Sequence, residues 1–221
     1  MGENDLTSEE SLIFLKPDAV LRKKVGAAVL QEFLKNKEMT ILGFQEISIT
    51  EELAKRHYQE HEGKPFFPWL VKSIRSAPVL AMIVQGNIQS IRSFLGATFV
   101  QKADPGSIRG KYGIWGGVNS VHASDSPATG ARELELWKNF AKLQKDSMAT
   151  DKIEAYIKTW IKYKKDSTVQ LRQYCKMLSE NHSLKDETNR NLIPLLKGDC
   201  PHVDDQTIRN FSDVIVENVL L

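Results

Sequence analysis

One histidine lies among small polar residues in the run Asn119–Ser126, just before a helical pattern that opens at Pro127. A neutral imidazole is a competent nucleophile near neutral pH, and a covalent intermediate on it splits one difficult transfer into two easier steps. A histidine taken alone is more often a hydrogen-bonded core or surface residue than a catalytic one. A catalytic role for His122 is therefore indicated only if suitable partners occur elsewhere in the chain.

Such partners occur on both sides of His122. Lys16 lies near the start, Arg109 lies in the segment Ile108–Lys111, and Glu133 follows in the next predicted helix. Arginine can grip phosphate oxygens with two donors, and lysine adds a compact charge. A carboxylate that accepts a hydrogen bond from one imidazole nitrogen leaves the other free to attack. These residue types indicate phosphoryl transfer, although the chain has neither of the common glycine-rich phosphate loops.

Several short segments, in this order along the chain, resemble the nucleoside diphosphate kinase family. They are Lys16–Val20, His57–Tyr58, Lys64–Phe67, Ala77–Met82, Leu95–Thr98, Pro105–Gly110 and the run that contains His122. The resemblance covers residues 11–137 approximately. It implies an enzyme that moves the γ-phosphate of a nucleoside triphosphate to a nucleoside diphosphate by a ping-pong mechanism through phosphohistidine.

The resemblance also implies site residues. The catalytic set is His122, Glu133, Lys16, Tyr58 and Ser124, and the nucleotide-binding set is Lys16, Phe66, Leu70, Arg92, Thr98, Arg109 and Asn119. In these sets His122 is the nucleophile and Glu133 orients it. The cations and the Thr98 hydroxyl contact phosphate, Phe66 stacks on the base, and Asn119 and Lys16 bond the sugar. Stacking reads a π-face and not a base edge, so it favours nucleotides without choosing among bases.

The implied cofactor is Mg²⁺, which enters with the nucleotide and bridges its β- and γ-phosphates. Asp125 is the candidate that holds the ion indirectly, through water. The implied partners are nucleoside tri- and diphosphates, together with further copies of the chain in a homo-oligomer.

Apolar spacing in the same region predicts a β-α-β-β-α-β core. The predicted strands are Ser11–Leu15, Ile41–Ile49, Val79–Val84 and Val118–Val121, with a helix capped by Thr50 and a polar loop over Thr98–Gly117. This order is that of the ferredoxin-like α+β fold, an antiparallel sheet backed by helices on one face. The family resemblance implies the same fold.

From Lys138 onward strand signals vanish, and three amphipathic helices are predicted. Their apolar faces are Ile153, Ile157, Trp160 and Ile161; Leu171, Tyr174, Cys175 and Leu178; and Ile208, Phe211, Ile215 and Val219. The segment Asn181–Asp205 contains Pro194, Gly198 and Pro201, which predicts a loop with a turn or two of helix. We therefore divide the chain into a polar tail at 1–10, a catalytic domain at 11–140 and a helical extension at 141–221.

The extension carries too much apolar surface to be left in water. We expect it to dock on the catalytic domain or on a neighbouring subunit. Its lysines interleave with Tyr156, Trp160 and Tyr163, a pattern that nucleic-acid surfaces also show, but nearby acids favour packing or oligomer contact instead.

Composition bounds the remaining possibilities. The chain has 221 residues, a formal charge of +2 and two cysteines, so neither a strong overall field nor a disulfide framework is present. The first ten residues are polar and acidic, and no apolar run is long enough to span a membrane. We therefore expect a cytoplasmic protein with reduced thiols and no membrane partner.

One alternative function belongs to a different class. A non-catalytic nucleotide-binding or scaffold protein could use the same fold and act through the C-terminal helices. A scaffold has no need of the polar residues that surround His122, which favours the enzyme. A protein-histidine kinase side activity stays open beside either function.

Overall fold

The computed structural model describes residues 9–221, so most of the predicted polar tail lies outside the described residues. The sheet has four strands, which are β1 (Glu9–Leu15), β2 (Met39–Ile47), β3 (Val79–Gly86) and β4 (Val121–Ala123). Their order is β2-β3-β1-β4, and every neighbouring pair is antiparallel. The predicted ferredoxin-like arrangement is confirmed.

The helices of the first part of the chain are α1 (Pro17–Leu21), α2 (Lys23–Lys35), α3 (Glu51–His57), α4 (Phe67–Ile74), α5 (Ile88–Leu95), α6 (Ile108–Tyr112) and α7 (Pro127–Ala141). The predicted cap on α3 is confirmed, because the Thr50 side chain accepts a hydrogen bond from the Leu53 amide. Ser126 caps α7 in the same way through the Thr129 amide. Each cap satisfies an amide that helix geometry leaves without a partner.

Helices cover both faces of the sheet, and not one face as the sequence suggested. Ile13 and Leu15 of β1 lie in a core cluster with residues of α2, α5 and α6. Phe14, which alternates with them, lies in a second cluster with α3, α4 and α7, where Trp137 is fully buried. Alternate residues of a strand point to opposite faces, so β1 supports two separate cores.

Two predicted boundaries around His122 are wrong. The strand predicted at Val118–Val121 begins only at Val121, because Ser120 has φ 71° and so interrupts the extended backbone. The loop predicted over Thr98–Gly117 contains α6, a helix of five residues capped by Ser107. The second difference fixes Arg109 in a helix, where a loop would leave its position less defined.

The extension contains four α-helices: α8 (Ala149–Trp160), α9 (Thr168–Glu180), α10 (Lys185–Asp199) and α11 (Asp205–Leu220). The loop predicted over Asn181–Asp205 is therefore wrong, since α10 occupies most of it with Pro194 inside the helix. Leu192 and Leu196 are fully buried four residues apart, and this packing outweighs the hydrogen bond that proline removes.

The extension docks directly on the first part of the chain. Ile153 of α8 is fully buried in the cluster with α2, and the Asp146 amide donates to the Leu42 carbonyl of β2 at 2.8 Å. Helices α9 to α11 share a core with Trp69, whose indole nitrogen donates to the Val214 carbonyl of α11 at 2.9 Å. The extension is thus packed against the sheet domain.

Both cysteines are free and buried within the core that α9 to α11 share with Trp69. Burial raises the pKa of Cys175 and of Cys200 to about 12, so both remain thiols at neutral pH. Within residues 9–221, no helix combines the length and apolar character needed to cross a membrane.

Candidate active site

The centre of the site is a hydrogen bond between β4 and α7. His122 lies in β4 opposite Phe14 of β1, and their rings stack with centroids 4.7 Å apart. Its Nε2 lies 2.8 Å from Oε2 of Glu133. Since an ionised carboxylate can only accept, Nε2 carries the proton and Nδ1 keeps its lone pair.

Glu133 is held as an ionised acceptor although it is almost fully buried. Burial alone would raise the pKa of Glu133, but the electrostatic interaction with the His122 ring and hydrogen bonds from His122 and Ser124 lower it to about 2. The Ser124 hydroxyl donates to the same oxygen at 2.7 Å. The carboxylate is therefore charged at neutral pH and fixes the orientation of the His122 ring.

A second histidine stands behind the first. His57 is buried beside His122, with ring centroids 4.6 Å apart, and the Trp137 indole donates to its Nδ1 at 3.3 Å. Burial, reinforced by the electrostatic interaction with the neighbouring His122 ring, lowers the pKa of His57 to about 3. The His57 ring is consequently neutral at physiological pH and restricts movement of His122.

Lys16 follows β1 directly and reaches across to the segment before β4. Its ammonium donates to the Gly117 carbonyl and to Oδ1 of Asn119, the latter at 3.1 Å. Asn119 in turn donates to the Thr98 carbonyl at 2.7 Å. Burial lowers the pKa of Lys16 to about 8, although the nearby charge of Asp18 opposes the shift. Lys16 thus carries a charge that is lost within one or two pH units of neutrality.

Two arginines complete the cationic group. Arg109 of α6 donates to the Gly96 carbonyl at 2.8 Å and to the Val121 carbonyl at 3.0 Å. Burial, and then the positive charge of Arg92, lowers the pKa of Arg109 to about 10. Arg92 of α5 forms an ion pair with Asp125. Arg92 and Arg109 lie close together with Asp125 as the nearby acid, and such an excess of positive charge favours binding of an anion.

A cleft of 140 Å³ brings most of the predicted residues together. It is lined by ten of them: Lys16, Tyr58, Leu70, Arg92, Thr98, Arg109, Asn119, His122, Asp125 and Glu133. Ser124 does not line the cleft, but its hydroxyl is hydrogen-bonded to Glu133, which does. Phe66 does not line the cleft; it is 37% exposed and contacts His61, a lining residue, edge-on with ring centroids 5.5 Å apart.

Some lining residues were missed as site residues by the sequence analysis. His57 and His61 both line the cleft; His57 ends α3, and His61 lies in the short 3-10 helix Gln59–His61 that follows. His57 belongs to the motif His57–Tyr58, so a signal existed for it. Gly117 also lines the cleft, but its contribution is a backbone carbonyl that no residue type could announce.

One trio in the described part of the chain has the spacing of a metal site. Donor atoms of His57, His122 and Glu133 lie within 4.8 Å of one another. The trio does not fit Mg²⁺, which prefers oxygen ligands, and its donors already bond Trp137 or each other. Asp125 fits better, since its carboxylate is 66% exposed at the edge of the cleft.

Comparison with known proteins gives a consistent result. Residues 9–143 match the family model for nucleoside diphosphate kinase. The nucleoside diphosphate kinase of Methanothermobacter thermautotrophicus is 44% identical over 131 residues, which cover 58% of this chain and 86% of that protein. The one from Herpetosiphon aurantiacus is 43% identical over 145 residues, covering 65% of this chain and 96% of that protein.

A solved structure is similar over the same share of the chain. The nucleoside diphosphate kinase of Halobacterium salinarum, solved in complex with CDP, aligns with a TM-score of 0.55 and 37% identity. The alignment covers 66% of this chain and 98% of that one.

The fold and the matches define a nucleotide-dependent phosphotransferase. More narrowly, the chain belongs to the nucleoside diphosphate kinase family, because the family model spans residues 9–143 and the relatives are matched over most of their own length. Its activity is phosphate transfer between nucleoside phosphates. Helices α8 to α11 lie beyond the matched residues.

Proposed function

We propose that the protein transfers the γ-phosphate of a nucleoside triphosphate to a nucleoside diphosphate through a phosphohistidine at His122. One observation carries the proposal: Nε2 of His122 is held by Glu133 at 2.8 Å, which leaves the lone pair on Nδ1. The same cleft contains Lys16, Arg92 and Arg109. Positioning and electrostatic stabilisation supply most of the catalysis in phosphoryl transfer, and this group offers both.

The reaction consists of two half-reactions. In the first, the Nδ1 lone pair attacks the γ-phosphorus, the bond to the β-phosphate oxygen breaks, and the diphosphate leaves with the electron pair. In the second, a terminal oxygen of another diphosphate attacks that phosphorus and the electron pair of the P–N bond returns to Nδ1. The proton on Nε2 stays with the ring throughout, bonded to Glu133. Two easier steps through one site define ping-pong catalysis.

The nucleotide is held at both ends. The exposed ring of Phe66 stacks on the base at the mouth of the cleft, with Leu70 beside it. Lys16 and Asn119 bond the sugar, and Thr98 adds a hydroxyl to the phosphates. Burial raises the pKa of Tyr58, so its phenol remains a neutral donor near His122. The complex of the Halobacterium relative with CDP supports a nucleoside diphosphate in this cleft.

Mg²⁺ is the metal that we propose for the reaction. When bound, it would neutralise the negative charge that develops on the phosphate oxygens. Asp125 is the residue that would hold it, through water. Arg92 now pairs with Asp125, and a phosphate that attracts Arg92 would free the carboxylate for this role.

The first test concerns the cations. We expect Lys16→Ala and Arg109→Ala each to lower kcat, by raising its activation free energy by ~2 to 4 kcal/mol, and to change KM less. The reason is that the charge on the phosphoryl group changes most at the transition state. Steady-state kinetics with both nucleotides measures the split. Lys111→Ala is the matched control, since Lys111 lies in the same helix as Arg109 but pairs with Glu32. Changes in KM alone would make these cations anchors and overturn the assigned roles.

The second test uses pH. The pKa of Lys16 lies at about 8, below its usual value, so the side chain is charged below that pH and neutral above it. We expect kcat/KM for the nucleoside triphosphate, which reports the free enzyme, to fall as pH rises through about 8. Lys16→Arg should move this limb upward, because guanidinium keeps its charge. If kcat/KM of Lys16→Arg falls over the same pH range as in the parent, the fall reports the titration of another group.

Further parts of the proposal concern assembly, location, domain organisation and partners. We propose a homo-oligomer in the cytoplasm, with residues 11–140 as the catalytic domain and 141–221 as a supporting extension. Exposed Phe99 and Met148 offer apolar surface for subunit contact.

We propose no nucleic-acid partner. Lys23 lies over the rings of Tyr156 and Trp160, so these two aromatic rings already have a cationic partner within the chain. The scaffold alternative has no comparable support, because it leaves the cleft residues unexplained.

A further inference from the structure

The last helix of the extension touches the turn that holds Lys16. The Lys16 ammonium donates to the Gly117 carbonyl, and the Gly117 amide donates to Oδ1 of Asn218 in α11 at 2.9 Å. One residue therefore joins the extension to a cation of the cleft. A shift of Asn218 moves the carbonyl that orients the ammonium.

The turn is shaped to lie against the extension. Gly116 has φ 48°, a conformation that side-chain-bearing residues rarely adopt, and a Cβ on Gly117 would come within 2.8 Å of the Trp69 ring. Trp69 is itself fixed by its hydrogen bond to the Val214 carbonyl of α11. Helix α11 thus supports the turn directly through Asn218 and indirectly through Trp69.

A second contact lies at the end of α6, the helix that carries Arg109. Arg172 of α9 donates to the carbonyls of Gly113 and Gly110 at 2.8 Å each and to the carbonyl of Arg109 at 3.3 Å. The last carbonyls of a helix have no partner within it, and a cation there is favourable. A helix of five residues is too short to be stable alone, so its position depends on external caps: Arg172, and Arg22 of the sheet domain, which donates to the Tyr112 carbonyl at 2.7 Å.

We propose that Arg172 and Asn218 are positioning residues for phosphoryl transfer, acting through Arg109 and Lys16 respectively. The inference rests on the proposed function of those two cations. Neither residue lies in the segment matched to the family, and the two come from different helices of the extension. The extension is thereby part of the catalytic apparatus, because it aims two charges at the transferring phosphate.

A double-mutant cycle in the full-length protein separates positioning from a general loss of structure. We expect Asn218→Ala and Arg172→Ala each to lower kcat about tenfold and to leave KM within about threefold. In the Lys16→Ala background Asn218→Ala should lower kcat less than about twofold, and Arg172→Ala should do the same in the Arg109→Ala background. Additive losses in both cycles would overturn the proposal.

Control variants separate loss of the Asn218 and Arg172 contacts from a general loosening of the extension. Glu217→Gln removes the ion pair between α11 and Lys72, one residue from Asn218, and should leave kcat unchanged. Asn218→Asp keeps an acceptor oxygen for Gly117 and should restore most of the activity. If an alanine variant does not fold, a milder variant replaces it in the same cycle. Asn218→Ser has a side chain too short to reach the Gly117 amide, and Arg172→Lys has one donor group in place of the guanidinium.

The outcomes also distinguish this inference from the function on which it rests. If the parent transfers no phosphate, or Lys16→Ala and Arg109→Ala are fully active, the proposed function fails. If both of those variants are impaired while folded Asn218 and Arg172 variants keep the parent kcat, only the inference fails. Loss of activity in Glu217→Gln equal to that in Asn218→Ala would also contradict it, because it would indicate loosened docking alone.

Discussion

Replacing His122 with alanine is expected to abolish phosphate transfer while nucleotide binding persists. Binding rests on Phe66 and on the cations, whereas the covalent step needs the imidazole. Loss of a nucleophile that works through a covalent intermediate costs about four orders of magnitude or more in turnover. Turnover and nucleotide affinity should therefore be measured together on the same preparation.

The matched control for this variant is another histidine. His182 lies exposed in the extension, at the start of a short helical turn before α10, and His182→Ala should retain full turnover. Residual transfer by His122→Ala within about tenfold of the parent would remove His122 from the nucleophile's role. Loss of both turnover and nucleotide binding would point instead to a collapsed cleft, which the melting temperature of the variant would reveal.

The second large effect concerns stability. Phe211 of α11 is 1% exposed in the core that the extension shares with Trp69 and Ile114. Truncating a buried phenylalanine to alanine typically lowers the free energy of unfolding by ~3 to 5 kcal/mol. Since domains are stable by only ~5 to 15 kcal/mol, we expect Phe211→Ala to lower the melting temperature of the whole protein in one transition. Denaturant or thermal unfolding with two optical probes measures it.

The control is an exposed residue of the extension. Val169 of α9 is 73% exposed, so Val169→Ala should leave the melting temperature close to that of the parent. A Phe211→Ala protein that unfolds in two separate steps, with the His122 chemistry surviving the first, would show that the extension is an independent unit. The docking seen through Trp69 predicts a single step instead.

Much of the sheet domain could be predicted because its signals are local. The apolar run Ser11–Leu15 predicts β1, and the Thr50 cap predicts the start of α3 correctly. The antiparallel order then follows from the β-α-β-β-α-β succession. Prediction failed at Ser120, where a positive φ ended the strand, because a serine carries no strong signal for that conformation.

The extension was less predictable because tertiary packing decides its structure. Pro194 argues locally for a loop, yet Leu192 and Leu196 anchor a helix through contacts made only in the folded chain. The same holds for the site. The family resemblance brought His122 to Glu133, but the contacts of Arg172 and Asn218 cross 59 to 101 residues of sequence and use backbone groups. No pattern of residue types encodes such a contact.

Phosphorylation of the protein itself would show whether His122 carries the transferred group. The purified full-length chain is incubated with γ-labelled ATP, and the label is tested for stability in acid and base and located by mass spectrometry. We predict acid-labile, base-stable label on His122 that a nucleoside diphosphate removes as nucleoside triphosphate. Label on another residue, or active transfer without any label on His122, would contradict the account.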